Sequence, residues 1–206
     1  MTELQIKKTL VEFFVKKNDD LILGAEVSFQ YGERRADIIT IENGLATAYE
    51  IKSAGDNISR LEYQLESYKS FFDFCYIVCE KNHLSAIRSS VSKNFGIIVV
   101  DDSSLKFIRK SHQFKMHDKE VLASYFPINR LKQLTGIKSP LSKHELCIYA
   151  SKNISKEILH KESRNEMMMR YITPSEMLRM DILEKVNADD IYTLTKRPPS
   201  FLVKRS

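Results

Sequence analysis

Asn43-Gly44, set between two β-rich runs, constrains what this chain can fold into more than any other pair of residues in it. A two-residue Asn-Gly connection selects a type I′ turn, because both central residues must take positive φ and the resulting twist matches that of paired strands. Residues 34–42 and 45–52 are therefore the two arms of a hairpin. Its register follows by counting. Glu42 opposes Leu45, Ile41 opposes Ala46, Ile39 opposes Ala48 and Asp37 opposes Glu50. Alternation with period 2 makes Arg35 and Lys52 the next pair on the same face, so one end of that face is apolar and the other charged.

Directly opposed like charges destabilise a sheet. Two carboxylates about 5 Å apart at an effective dielectric of about 20 repel by about 3 kcal/mol, so something must offset that cost. A hard divalent cation, Mg²⁺ or Mn²⁺, held by the carboxylates, water and a phosphate oxygen, meets the need. Lys52, on the face of Glu50, can orient an attacking water or help deprotonate it. Any Asp alone, or any Glu-Ile-Lys alone, reads as ordinary exposed charge; it is the combination on one face that points to phosphodiester hydrolysis.

The elements around the hairpin follow from local signals. Thr2 to Gln5 is a capping-box pattern followed by Leu10, Val11, Phe14 and Val15 at helical spacing, which predicts a helix over about 3–17. Residues 21–30 read as a strand. Asp56 or Ser59 caps a helix reaching to about Phe72, and residues 73–79, 83–93 and 97–100 read as strand, helix and strand. The order αβββαβαβ implies an α/β sandwich with an antiparallel meander first and a parallel crossover later. Five of the six glycines precede residue 100 and all five prolines follow residue 126, so the second half reads as helical. Ser142 with Glu145, Ser155 before Ile158 and Leu159, and Thr173-Pro174-Ser175-Glu176 predict three short helices there. They form either a lid on the core, the commoner use, or a DNA-contacting module. The expected boundaries are a core over 1–110, a helical subdomain over 111–192 and a basic, extended tail over 193–206.

At 206 residues with 43 % apolar content, the chain can bury a core of ordinary size. No apolar run approaches the roughly 18 to 20 residues of a bilayer span, and the first 20 residues do not resemble a signal peptide. The expectation is a cytoplasmic protein without a membrane partner. Residues 1–103 carry 12 Lys+Arg against 16 Asp+Glu, whereas 104–206 carry 20 against 11. The basic second half suits a polyanion such as nucleic acid, although a solvated surface gives the same count. Cys75, Cys79 and Cys147 read as buried thiols. His83, His112, His117, His144 and His160 read as surface or satisfied structural residues, since none shows ligand spacing. Glycine-rich phosphate loops and nucleophile elbows are absent from the sequence.

Arg35-Ala36-Asp37-Ile38 on one strand and Glu50-Ile51-Lys52-Ser53 on the next resemble the D…ExK signature of the PD-(D/E)XK nuclease superfamily. Gln64-Leu65-Glu66-Ser67-Tyr68 resembles the QxxxY motif of its RecB-like branch, with Gln64 and Tyr68 on one helix face. The resemblance covers about the first 100 residues. It implies a restriction-endonuclease-like αβββαβ core and a Mg²⁺- or Mn²⁺-dependent nuclease, an endonuclease or exonuclease acting on DNA. By the same resemblance Asp37, Glu50 and the Ile51 carbonyl ligate the ion, Glu26 completes the site, and Lys52 and Gln64 serve catalysis. Arg35, Ser53, Arg60 and Tyr68 would support substrate or site. Ala36 stands where the family has proline, and Glu3 and Glu12 rival Glu26 as the extra acid. The alternative is an inactive nucleic-acid-binding or assembly subunit of a defence or repair complex, with a homodimer or larger assembly as partner.

Overall fold

Thr2 caps α1 (Glu3–Lys17) in both directions, its side chain accepting from the Gln5 N–H and its own N–H donating to the Gln5 side chain. That start fixes the phase that buries Ile6, Leu10, Val11 and Phe14. The computed structural model describes residues 1–59, 61–101, 104–182 and 185–195. Six strands follow in sequence order across one sheet: β1 (Ile22–Phe29), β2 (Arg34–Glu42), β3 (Leu45–Lys52), β4 (Phe74–Cys79), β5 (Gly96–Asp101) and β6 (Ser104–Arg109). The pairs β1–β2 and β2–β3 are antiparallel, β3–β4 and β4–β5 parallel, and β5–β6 antiparallel. Parallel neighbours need crossovers, and α2 (Leu61–Lys69) and α3 (Leu84–Ser90) lie in them.

The hairpin turn takes the backbone its sequence demands, with φ of 51° at Asn43 and 73° at Gly44. The pairs Glu42–Leu45, Ile41–Ala46 and Ile39–Ala48 form as counted. β6 was not foreseen. It pairs with β5 through an irregularity at Ile97/Ile98, and half of it is exposed, so it carries no clean alternation to read.

The second half departs further from expectation. In place of three short helices stand α4 (Lys119–Ser124), α5 (Ile128–Thr135), α6 (Lys143–Asn153), α7 (Lys156–Asp181) and α8 (Ala188–Thr193). Thr173-Pro174 does not open a helix; Pro174 lies inside the 26-residue α7. A proline there removes one helical hydrogen bond. Burial of Tyr171, Pro174, Ser175 and Leu178 offsets it, with α7 packed on β1. Of the expected tail, Thr193 closes α8 and Leu194 is buried; 196–206 lie outside the described residues.

One core cluster joins Ala48, Cys75 and Ile77 of the sheet to Leu122, Leu146, Leu159 and Met167 of the later helices and to Phe126 between α4 and α5. A second joins α1 to Leu23, Ile38, Tyr49, Val78 and Ile98, with Leu178 and Ile191 at its margin. The result is an α/β molecule, a six-stranded mixed sheet flanked by helices with a helical C-terminal region. No helix among the described residues is long and apolar enough to cross a membrane.

Candidate functional site

Backbone pairing in the hairpin runs as far as Ile38–Tyr49. One step further the Asp37 carboxylate itself accepts the Ile51 N–H, at 2.8 Å. The break has a counterpart across the sheet. Glu26, in the middle of β1, holds φ of 54°, a left-handed conformation that costs a non-glycine residue about 1–3 kcal/mol and recurs at functional sites. Pairing resumes on both sides of it, Ala25 with Ile38 and Val27 with Ala36. Yet Ala25 and Ile38 belong to the α1-side cluster, and Val27 and Ala36 to the opposite one. The alternation slips by one face at Glu26 and Asp37.

Lys7 fills the slip. It is only 5 % exposed, and its ammonium donates to Glu3 and Glu26 and lies 3.7 Å from Asp37. Burial pushes Lys7 down, but its hydrogen bonds to Glu26 and Glu3 and the charge of Asp37 outweigh it, holding the group above its ordinary value. Arg35 closes the other side of Glu26 at 2.6 Å. Neither the expected pair Asp37–Glu50 nor the next pair, Arg35–Lys52, forms: pairing stops at Ile38–Tyr49, where the Asp37 carboxylate takes the Ile51 N–H, and Arg35 bonds Glu26 instead. Of the two rival acids, Glu3 joins this group and Glu12 accepts the Val186 N–H.

On the α2 side of the hairpin Lys52 donates to Glu50 at 2.8 Å and to Gln64 at 3.2 Å, and the Tyr68 hydroxyl donates to the other Glu50 oxygen. Tyr68 also reaches the Arg35 carbonyl. Gln64 and Tyr68 thus meet the hairpin from one helix face, as their spacing requires. Burial and then the Glu50 charge push Asp37 up to about 7; burial and Glu50 push the Tyr68 phenol well up, which keeps it a donor. A cavity of about 160 Å³ opens here, lined by Glu33, Arg34, Arg35, Glu50, Gln64 and Tyr68. Arg34 stacks over Tyr63 at 5.0 Å. Ser53 stands apart, bonded to Asp56 and, through its carbonyl, to His83. Arg60 lies outside the described residues.

Sequence reasoning missed Lys7, although its spacing to Leu10 and Phe14 puts it on the buried stripe of α1. It also missed a second cluster, Asp73 with His117, His160 and Arg164. Only the i, i+4 spacing of His160 and Arg164 hinted at it; nothing in the sequence brings Asp73 and His117 to them.

The model of the bacteriophage P4 protein cII family matches residues 1–195. The chain belongs to that family. Protein cII of Enterobacteria phage P4 is 29 % identical over 211 residues, covering 95 % of this chain and 78 % of the relative. A solved protein of unknown function from Silicibacter pomeroyi is similar at a TM-score of 0.45 and 11 % identity, over 81 % of this chain and 94 % of that one; likeness at that level carries no argument. Membership of the cII family overturns the expected nuclease, and with it the hydrolase and endonuclease activity read from the hairpin. The match runs from α1 through α8, where the D…ExK resemblance reached only about the first 100 residues. A physical reason stands beside it. The carboxylates that suggested hydrolysis each have partners within the protein: Lys7 for Glu26, Lys52 and Tyr68 for Glu50, and the Ile51 N–H for Asp37.

Proposed function

We propose that this cII-family protein is a regulatory protein that acts by binding nucleic acid without cutting it. Support comes from the cavity of about 160 Å³ at the open end of the hairpin, where Arg34, Arg35 and the Gln64 amide stand beside Glu33, Glu50 and Tyr68. A planar guanidinium suits phosphate better than an ammonium does, and Arg35 is 65 % exposed. The basic excess of residues 104–206 adds sequence-independent attraction. The core, with α1, the β1–β2–β3 meander, α2 and β4 in αβββαβ order, is proposed to be restriction-endonuclease-like in arrangement and to serve here as a scaffold.

Mg²⁺ or Mn²⁺ enters this reading as a competitor of Lys7 for Glu3, Glu26 and Asp37, whose carboxylate oxygens lie within 4.8 Å of one another. Anisotropy titrations of labelled duplex DNA, single-stranded DNA and RNA test the proposal. They are run with Mg²⁺, Mn²⁺ or EDTA, and strand length is checked afterwards. The expected result is binding that weakens with salt and leaves every strand intact. Arg34→Ala/Arg35→Ala should lower the log K against log salt slope by about 2. Absence of binding to all three nucleic acids at low salt would overturn it.

A further inference from the structure

Asp73, immediately before β4, is 1 % exposed. Its Oδ2 accepts from the Ala46 N–H and from Arg164 Nε, each at 2.8 Å. That oxygen is fully used, and the carboxylate is fixed in orientation. Its Oδ1 is left to two imidazoles: His160 Nε2 at 2.7 Å and His117 Nε2 at 3.4 Å. The two rings stack with centroids 4.8 Å apart. His117 Nε2 also lies 3.1 Å from the Phe72 carbonyl.

We infer that Asp73, His117 and His160 form a binding site for a divalent transition-metal ion of the zinc class. The donor set is the one such ions select, two imidazole nitrogens and a carboxylate oxygen. Four ligands about 2.0–2.1 Å from a tetrahedral ion stand about 3.3 Å from one another. The His117–Asp73 separation of 3.4 Å already has that value, the His160–Asp73 hydrogen bond of 2.7 Å must open by about 0.6 Å, and the three ligand atoms all lie within 4.8 Å of one another. Arg164 and the Ala46 N–H hold the ligating carboxylate from behind, as outer partners of metal ligands do. The fourth place falls to the Phe72 carbonyl or to water on the His160 side, where that side chain is 23 % exposed.

The ion would join three separate parts of the chain: the strand end at Asp73, the segment before α4 at His117, and α7 at His160. Arg164 adds a positive charge beside it, which places the expected affinity in the micromolar range rather than the nanomolar range of sites rich in thiolate or carboxylate. This site shares no residue with the hairpin cluster and stands independently of the function proposed above.

The full chain, freed of metal by dialysis against EDTA, is titrated calorimetrically with Zn²⁺ and followed by visible absorption with Co²⁺. One ion per chain, a rise in Tm and the intense Co²⁺ absorption of tetrahedral coordination are expected. His160→Gln retains a donor for Asp73 but loses the imidazole; it and His117→Ala should weaken binding by at least about 100-fold with the far-ultraviolet dichroism of the native chain. The triple variant His83→Ala/His112→Ala/His144→Ala, which leaves the cluster intact, should bind as the native chain does. Unchanged affinity in both cluster variants, loss of binding in the triple variant, or no uptake at about 100 µM metal overturns the inference.

Discussion

Asp37 illustrates how much a single residue here depends on its neighbours. Below about pH 4 its carboxyl is protonated in both the folded and unfolded chains. Between its ordinary value of 3.8 and the folded value of about 7 the unfolded chain loses the proton and the folded one keeps it. Stability therefore falls as pH rises through that window, by at most about 1.4 kcal/mol per pH unit, and levels off above it. Asp37→Asn removes the slope. Unfolding free energies from denaturant titrations at pH 5 and pH 8 should move in the variant's favour by about 2–3 kcal/mol between the two conditions; a difference independent of pH would mean that Asp37 is ionised throughout. Lys7 is the complementary case. Lys7→Met leaves Glu3, Glu26 and Asp37 facing one another and should cost about 2–4 kcal/mol, since removing one partner strands buried charge. Adding Glu26→Gln to it should restore part of the loss in a double-mutant cycle. The burial of Lys7 is legible in its helical spacing, but its partners are not. Counting along the hairpin brought Asp37 towards Glu50 and put Lys52 beside Glu50, whereas the cation that answers Asp37 comes from α1, 30 residues earlier in the chain.

Legibility at the level of elements followed locality. The arms Arg34–Glu42 and Leu45–Lys52 are legible in the sequence, and so is their register near Asn43-Gly44, which fixes the backbone there; the register holds as far as Ile38–Tyr49, short of the counted Asp37–Glu50 pair. α1 and the capping box at Ser142 were equally plain, since their signals lie within one turn. α7 was not. Its sequence contains a good start signal at Thr173-Pro174, and only packing on β1 makes the chain continue through it. Gly96 in β5 shows the same contrast. A Cβ there would meet Tyr76 Cδ1 at 2.2 Å and the Ser111 nitrogen at 2.9 Å, so Gly96→Ala should cost about 1–3 kcal/mol by forcing the Tyr76 ring aside. Thermal unfolding measures it, and a loss below about 0.5 kcal/mol would show that the ring yields freely.

Sequence signals divided the chain near residue 110, yet the packing of the whole molecule runs across that line. β1 is an edge strand, and its outward N–H groups at Leu23 and Ala25 donate to Ser175 Oγ and to the Leu194 carbonyl. Arg179 reaches back to the carbonyls of Asn18 and Leu21. Arg164, 2 % exposed, donates to Asp73 and to the Phe71 carbonyl from 90 residues away. A fragment of residues 1–110 would lose all of these partners and uncover Phe71, Phe72, Cys75 and Ile77, which the later helices help to bury. An open edge with unpaired donors above an apolar face is what drives strand-to-strand aggregation, and Asp73 without Arg164 and His160 would be a buried charge left without its cation. The fragment is therefore expected to be insoluble, or to unfold without a cooperative transition, while residues 1–195 unfold as a single unit. Calorimetry of both chains checks this: a cooperative transition in the fragment at a Tm near that of the longer chain would show that the sheet carries its own stability and that the helical half merely rests on it.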